Sequence, residues 1–288
     1  MTAGLQDLRR RLGIAPGLWP LVPAYLVFAV LFVLPLTYFF MISFWSVRAR
    51  IMRPDFTFKN YVATWTEYGG TLANTILLAL LIAATTTLIA FAFAYVIRFR
   101  AGRFGNALLF LTLITLFGGY LVKIYAWKSI LGRDGILNLA LIKVGLIDEP
   151  LSALIYSANG IVITLTYFLL PFAVLPIYSN MRAIRDVTME ASRDLGAGSW
   201  MTLWKVVLPQ CERGIVVAFI FTFLISVGDY VTPRFVGGGA AMMGNFIEAQ
   251  FSFGFNWPMG SAMAFTTMAS SLAVVLACRA LLHLWLRP

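Results

Sequence analysis

The stretch "EASRDLGAGSWMTLWKVVLP", residues 190–209, lies between two long apolar runs of a 288-residue chain that is 60% hydrophobic. Thr188 offers a helix N-cap and Glu190 an acid in a first turn, where the helix dipole favours one. A helix to about Leu195 is expected to stop at Gly196, with Gly198 a second break. Ser199 can cap a further helix, on which Trp200, Leu203, Trp204 and Val207 follow at i, i+3, i+4 and i+7. Pro209 ends that helix and can open the next span. Two short helices meeting at a glycine hinge are therefore expected. The tryptophan-rich side of the second is expected to dock on the protein's own membrane helices, and the first to stay polar and exposed. An amphipathic linker at the membrane interface fits the same pattern.

The flanks of this stretch set its solvent. Mean hydropathy is +0.85 and only 12% of residues are charged, against about 25% in soluble domains. Uncharged runs cover 12–47, 68–97, 104–122, 150–181, 214–228 and 249–278. A bilayer core needs roughly 20 apolar residues per helix. These runs predict an all-α membrane protein with six spans, near 18–42, 71–97, 105–127, 153–178, 211–233 and 258–283. A cytoplasmic segment 1–17 would precede a single transmembrane domain, 18–288, and the cytoplasmic loop 179–210 would hold the opening stretch. The first run holds Pro20, Pro23 and Pro35 and lacks a small-residue cleavage site, so a retained helix is expected.

Arg9, Arg10 and Arg11 favour a cytoplasmic N-terminus, and six spans put both termini inside. On that topology the inner segments hold 13 Lys and Arg and the outer ones 9. The inward bias is weak and rests on clusters such as Arg98, Arg100 and Arg103. The net charge of +10 is partly topological, and no basic, aromatic-interleaved soluble surface suggests nucleic acid. Membrane lipid is the expected surrounding.

Enzymatic chemistry finds little support. The one histidine, His283, excludes HExxH zinc sites and makes a His-based triad improbable; it reads as a polar tip near the headgroups. No catalytic residue, metal site or cofactor is expected. There is no GxxxxGK[ST] phosphate loop, so ATP would be bound by another chain. Gly237, Gly238 and Gly239 read as a flexible outer turn. Cys211 and Cys278 fall at helix ends, where free thiols are expected rather than a disulfide.

The opening stretch resembles the EAA loop of ABC importer permeases: E-A-A, three residues, G, nine residues, I-x-L-P. Here Glu190, Ala191 and Ser192 are followed by Gly196 and then by Val206, Val207, Leu208 and Pro209. Ser192 and Val206 are the departures. "KIYAWKSILGRDGILN" (123–138), "YFLLPFAVLPIYSNM" (167–181), "SVGDYVTPRFVGG" (226–238) and "NWPMGSAMAF" (256–265) look like the spermidine/putrescine branch.

The resemblance implies a type I ABC importer transmembrane domain of about six helices in the cytoplasmic (inner) membrane. It implies a second, different permease subunit, a dimeric cytoplasmic ABC ATPase, and an extracytoplasmic binding protein that delivers the cargo. Glu190, Ala191, Ser192, Asp194, Leu195, Gly196, Leu208 and Pro209 would form the ATPase-coupling segment. Cargo would cross by alternating access, with a polyamine expected and an amino-acid derivative, phosphonate or metal as alternatives. An ion-coupled secondary transporter would show inverted repeats, and none is evident; a membrane scaffold is the third reading.

For the substrate pathway, Asp229 interrupts the fifth span, and an intramembrane acid is costly. It could attract a cation, pair with Arg234, or cap Thr232. Tyr230, Tyr120, Tyr125 and Trp127 are aromatic candidates for cation–π contact, or interfacial anchors. Lys123 and Lys128 flank the same aromatics and would repel a polyamine if they face the pathway. Glu248, Arg133 and Asp134 are expected on outer loops, either solvated or against the binding protein.

Overall fold

In the computed structural model the described residues are 21–151, 154 and 156–285, with side chains described to residue 280. The segment 1–17, with Arg9, Arg10 and Arg11, and the side chain of His283 lie outside them. Helix α1 (Val22–Ile42) leads to a hairpin of β1 (Ser46–Arg48) and β2 (Ile51–Arg53). Then come α2 (Lys59–Arg100), α3 (Gly102–Phe117), α4 (Tyr120–Leu131) and α5 (Ile136–Lys143). After α6 (Ala158–Ala183) the opening stretch forms α7 (Asp186–Asp194) and α8 (Ser199–Gln210). The chain closes with α9 (Glu212–Gly228), α10 (Val231–Val236), α11 (Met243–Ser252) and α12 (Trp257–Trp285).

Four described helices (α1, α2, α6 and α12) are long and apolar enough to cross a membrane, or six if each bent pair is one span. At 42 residues, α2 is about 63 Å long, twice the hydrocarbon thickness of about 30 Å, so it extends beyond the bilayer core. Thr64, Thr66, Thr75 and Thr85 return their hydroxyls to carbonyls four residues back, as Thr75 does to Thr71 at 2.8 Å, which removes the cost of a polar group facing apolar neighbours, whereas the buried Thr86 and Thr87 hydroxyls have no partner among the described residues. Ser157 caps α6 by accepting from the Gly160 amide at 3.3 Å.

The core is where α2, α6 and α9 pack on one another. Ala90 and Ala94 of α2 meet Ala173, Val174, Ile177 and Met181 of α6 and Ala218 of α9. Small residues on α2 let the helices approach closely, as membrane helices do. Gly214 marks a close approach of α9 to α6, since a Cβ there would sit 2.6 Å from the Pro176 carbonyl oxygen. By contrast α1 exposes nearly all its apolar side chains and touches α12 through ring contacts such as Phe40 with Phe265, 5.1 Å apart.

Two expected spans are interrupted. Within 105–127 the helix ends at Phe117, Gly118 and Gly119 turn extended, and the axis bends by 104° into the next helices. The expected 211–233 span stops at Gly228, where Asp229 is extended. Both breaks let backbone groups leave the helix, which inside a membrane is tolerated only where protein or water takes them up.

Candidate coupling site and pathway residues

The opening stretch forms an elbow whose limbs are α7 and α8. Helix α7 begins at Asp186, two residues before the expected cap Thr188, because Ile184 and Arg185 are extended and Arg98, from the end of α2, holds the corner. The Arg98 Nη2 donates to the Asp186 carboxylate at 2.7 Å and to the Ile184 carbonyl at 3.1 Å. At the other end Gly196 takes φ +79°, a left-handed turn that favours glycine. The Gly196 amide donates to the Arg193 carbonyl at 2.8 Å and the Ala197 amide to that of Ser192 at 3.0 Å, which closes the helix end. Gly198, not Ser199, is the N-cap of α8.

Across this turn the Ser192 and Thr202 hydroxyls hydrogen-bond at 2.9 Å, both residues buried. The serine that departs from the E-A-A pattern therefore ties the limbs together. Glu190, Ala191, Asp194 and Gly196 are exposed, and Leu195 at the bend is 88% exposed. Leu208 is half-buried and Pro209 exposed.

One expectation fails. Trp200 and Trp204 are 71% and 50% exposed and lie edge-on to each other, 5.6 Å apart. Val207 is fully buried beside Met181 and Ile184, with Leu203 and Val206 packed around it. A π turn over Leu203–Val207 puts more residues into the turn than an α-helix holds, so the i, i+3, i+4, i+7 count does not follow one face across it. The tryptophans point away from the protein's own helices.

The two interrupted spans meet at their breaks. The Tyr120 hydroxyl, at the start of α4, donates to Asp229 Oδ1 at 2.8 Å and lies 2.8 Å from the Thr232 hydroxyl. Asp229 is 8% exposed and also accepts from the amides of Val231 at 3.0 Å and Thr232 at 3.3 Å. It caps α10, one of the alternatives open from the sequence. Arg234 pairs instead with Glu248, Nη1 to Oε1 at 3.3 Å, so Glu248 is not simply solvated.

The other pathway candidates stand apart. Tyr125 packs beside Phe235 at 5.4 Å and Trp127 on Tyr167 at 5.3 Å; Tyr125 and Tyr230 are exposed. Lys123 sits over the Phe168 ring at 5.1 Å and Lys128 over Tyr156 at 5.9 Å. An open cavity of about 490 Å³ lies between α2, the start of α6 and the loop 239–242, with Thr71, Asn74 and Phe246 in its lining. None of the five pathway candidates lines it. An exposed asparagine inside an apolar helix was its one signal in the sequence.

Taken together, interrupted spans around buried polar groups and an exposed two-limbed elbow between apolar helices are the architecture of a multi-pass membrane subunit. The family described as the binding-protein-dependent transport system inner membrane component matches residues 105–288. The PotB permease of the spermidine/putrescine transport system of Haemophilus influenzae is 31% identical over 210 residues, 72% of this chain and 73% of that protein. Its counterpart in Escherichia coli is 29% identical over 235 residues, 81% of this chain and 85% of that one. A crystal structure of a bacterial ABC transporter involved in import of the acidic polysaccharide alginate superimposes with a TM-score of 0.74 at 15% identity, over 98% of this chain and 99% of that one.

The chain belongs to the inner membrane permease components of binding-protein-dependent ABC importers. Within them it stands in the branch of the spermidine/putrescine permeases. It is a multi-pass inner membrane subunit and not an enzyme, which sets aside the secondary-transporter and scaffold readings.

Proposed function

We propose that this permease carries a polyamine of the spermidine/putrescine type inward, driven by a separate ABC ATPase that grips residues 190–209. The observation that carries the reading is the elbow itself. Its Glu190, Ala191, Asp194, Leu195 and Gly196 surface is open, while Arg98 fixes it to the end of α2 and the Ser192–Thr202 bond ties its two limbs together. A push on an open but braced surface is transmitted rather than absorbed. The two limbs and both termini then face the cytoplasm, and the second permease is a different chain.

Cargo is inferred from the relatives, with support from aromatic chemistry: exposed Tyr125 and Tyr230 offer ring faces that a cation can reach, worth about 0.5–2 kcal/mol each. Asp229, committed to its cap, contributes through position rather than by direct contact. The test is uptake of labelled spermidine and putrescine into proteoliposomes holding the whole transporter, with ATP on the ATPase side and the binding protein outside. ATP-dependent accumulation is expected. Accumulation of an anionic or zwitterionic solute instead, with polyamines inert, would give the reading to another cargo.

A further inference from the structure

The outer hairpin carries charge in an unusual place. Three arginines, Arg48, Arg50 and Arg53, fall within six residues at the end of α2 opposite to Arg98. Because Arg98 holds the coupling elbow, the hairpin lies on the far side of the membrane from the ATPase site. Basic residues are disfavoured there in short loops, so their clustering calls for a cause.

Register shows how they are displayed. Ser46 faces Arg53, Val47 faces Met52 and Arg48 faces Ile51. Alternation of side chains puts Arg48, Ile51 and Arg53 on one face, with Ile51 63% exposed. Arg50 stands at the tip. Arg48 and Arg53 are diagonal neighbours of like charge, about 7–8 Å apart by sheet geometry, and repel one another. Among the described residues no ion pair engages any of the three; the acid near them is Asp55 at the hairpin base, whose carboxylate feels the charge of Arg48.

The hairpin is nevertheless held rigid. Ala49 and Arg50 take φ +52° and +64°, the two-residue turn that usually recruits Asn and Gly. Each non-glycine residue there costs about 1 kcal/mol. A two-stranded hairpin alone is marginal in water. Here Asp55 braces its base, accepting from the Ser46 amide at 3.1 Å and the Ser46 hydroxyl at 2.7 Å. Phe44, Phe56, Phe58 and Tyr61 cluster beneath. A contact with lipid headgroups needs no fixed geometry, whereas a shaped, strained, basic face suits a shaped acidic partner.

We propose that the hairpin 46–53 is a docking surface for an acidic rim on the cargo-loaded extracytoplasmic binding protein, with Arg48, Arg50 and Arg53 meeting carboxylates around Ile51. This rests on the import reading above. The test uses the whole transporter in nanodiscs, of neutral lipid and of mixed neutral and anionic lipid, titrated with the binding protein of the same transport system. The triple variant Arg48→Glu, Arg50→Glu, Arg53→Glu is expected to raise the binding-protein concentration for half-maximal ATPase stimulation about tenfold or more. It is also expected to flatten the salt dependence, in both lipids. The triple lysine variant keeps the charge and is expected to stay within about threefold of wild type, and basal hydrolysis in both variants shows that the complex assembles. An unchanged half-maximal concentration overturns the proposal, and an effect confined to anionic nanodiscs overturns it in favour of lipid. If the wild-type transporter itself shows no stimulation by the binding protein, it is the import reading that fails.

Discussion

Removing one hydroxyl from the Ser192–Thr202 pair is expected to loosen the elbow, and removing both to restore it. The bond is 2.9 Å long and both partners are buried. Ser192→Ala leaves the Thr202 hydroxyl without its partner, a loss of about 1–3 kcal/mol for a buried polar group. Both residues lie on helices, where a hydroxyl can turn to the carbonyl four residues back. That relief puts each single variant, Ser192→Ala or Thr202→Val, near the low end, about 1 kcal/mol. The double variant replaces both hydroxyls with apolar groups of similar shape, a nearly neutral exchange. The two effects are therefore non-additive by about 1–2 kcal/mol, as expected for residues in contact. Hydrogen exchange of the 186–210 amides in the assembled transporter reads the local opening directly. Each single is expected to exchange about fivefold faster, since 1 kcal/mol is a factor of about five, and the double close to wild type. Additive singles, or exchange unchanged in all three, would refute the tie between the limbs.

Asp229→Asn keeps an oxygen for the α10 cap and is expected to leave assembly intact and polyamine uptake within about twofold; a collapse of uptake in an assembled variant would show that the charge itself is used. Asp229→Ala removes the cap and one partner of Tyr120, and is expected to lower thermal stability by about 2–3 kcal/mol. Arg98→Ala is expected to lower the uptake obtained per ATP hydrolysed while the ATPase still co-purifies, with partial rescue by Arg98→Lys; an unchanged ratio would mean that the contact to Asp186 and Ile184 transmits nothing. The Ser46 hydroxyl holds the Asp55 carboxyl below its usual 3.8. A depressed value means that the brace is complete above pH 3.8 and lost as pH falls through the lower, folded value. A spin label at the hairpin tip is expected to stay immobile at pH 5 and gain mobility only below pH 3.8, and earlier mobilisation would place the brace elsewhere.

The sequence made some features legible and concealed others, for physical reasons. Gly196 could be read because a left-handed turn after a polar helix has a local composition. The break at Gly118 and Gly119 could not, because glycines within an apolar run look like tolerated small residues. What bends the chain there is tertiary: Tyr120 reaches Asp229 and Thr232, more than a hundred residues away. Asp229 stood out as a charge in an apolar run, but its neighbours allowed several roles, and only the placed amides of α10 choose the cap. The tryptophan stripe misled because periodicity assumes an unbroken α-helix. Arg98 read as a topological charge; its grip on the elbow depends on where α6 ends. Ser192 was visible as a departure from the E-A-A pattern, while Thr202 carried no signal linking it to Ser192.

If ATP energy enters this subunit through the turn at Gly196, as proposed, Gly196→Asp in the reconstituted transporter blocks that entry. Space at the turn is open, with nothing within 4 Å of an added Cβ, so the substitution adds charge and left-handed strain on the exposed surface without disturbing the helices behind it. The variant is expected to insert and pair normally but to lose ATP-driven uptake, through lost ATPase binding or through hydrolysis that no longer moves cargo. A variant that still holds its ATPase and imports at the wild-type rate would contradict it.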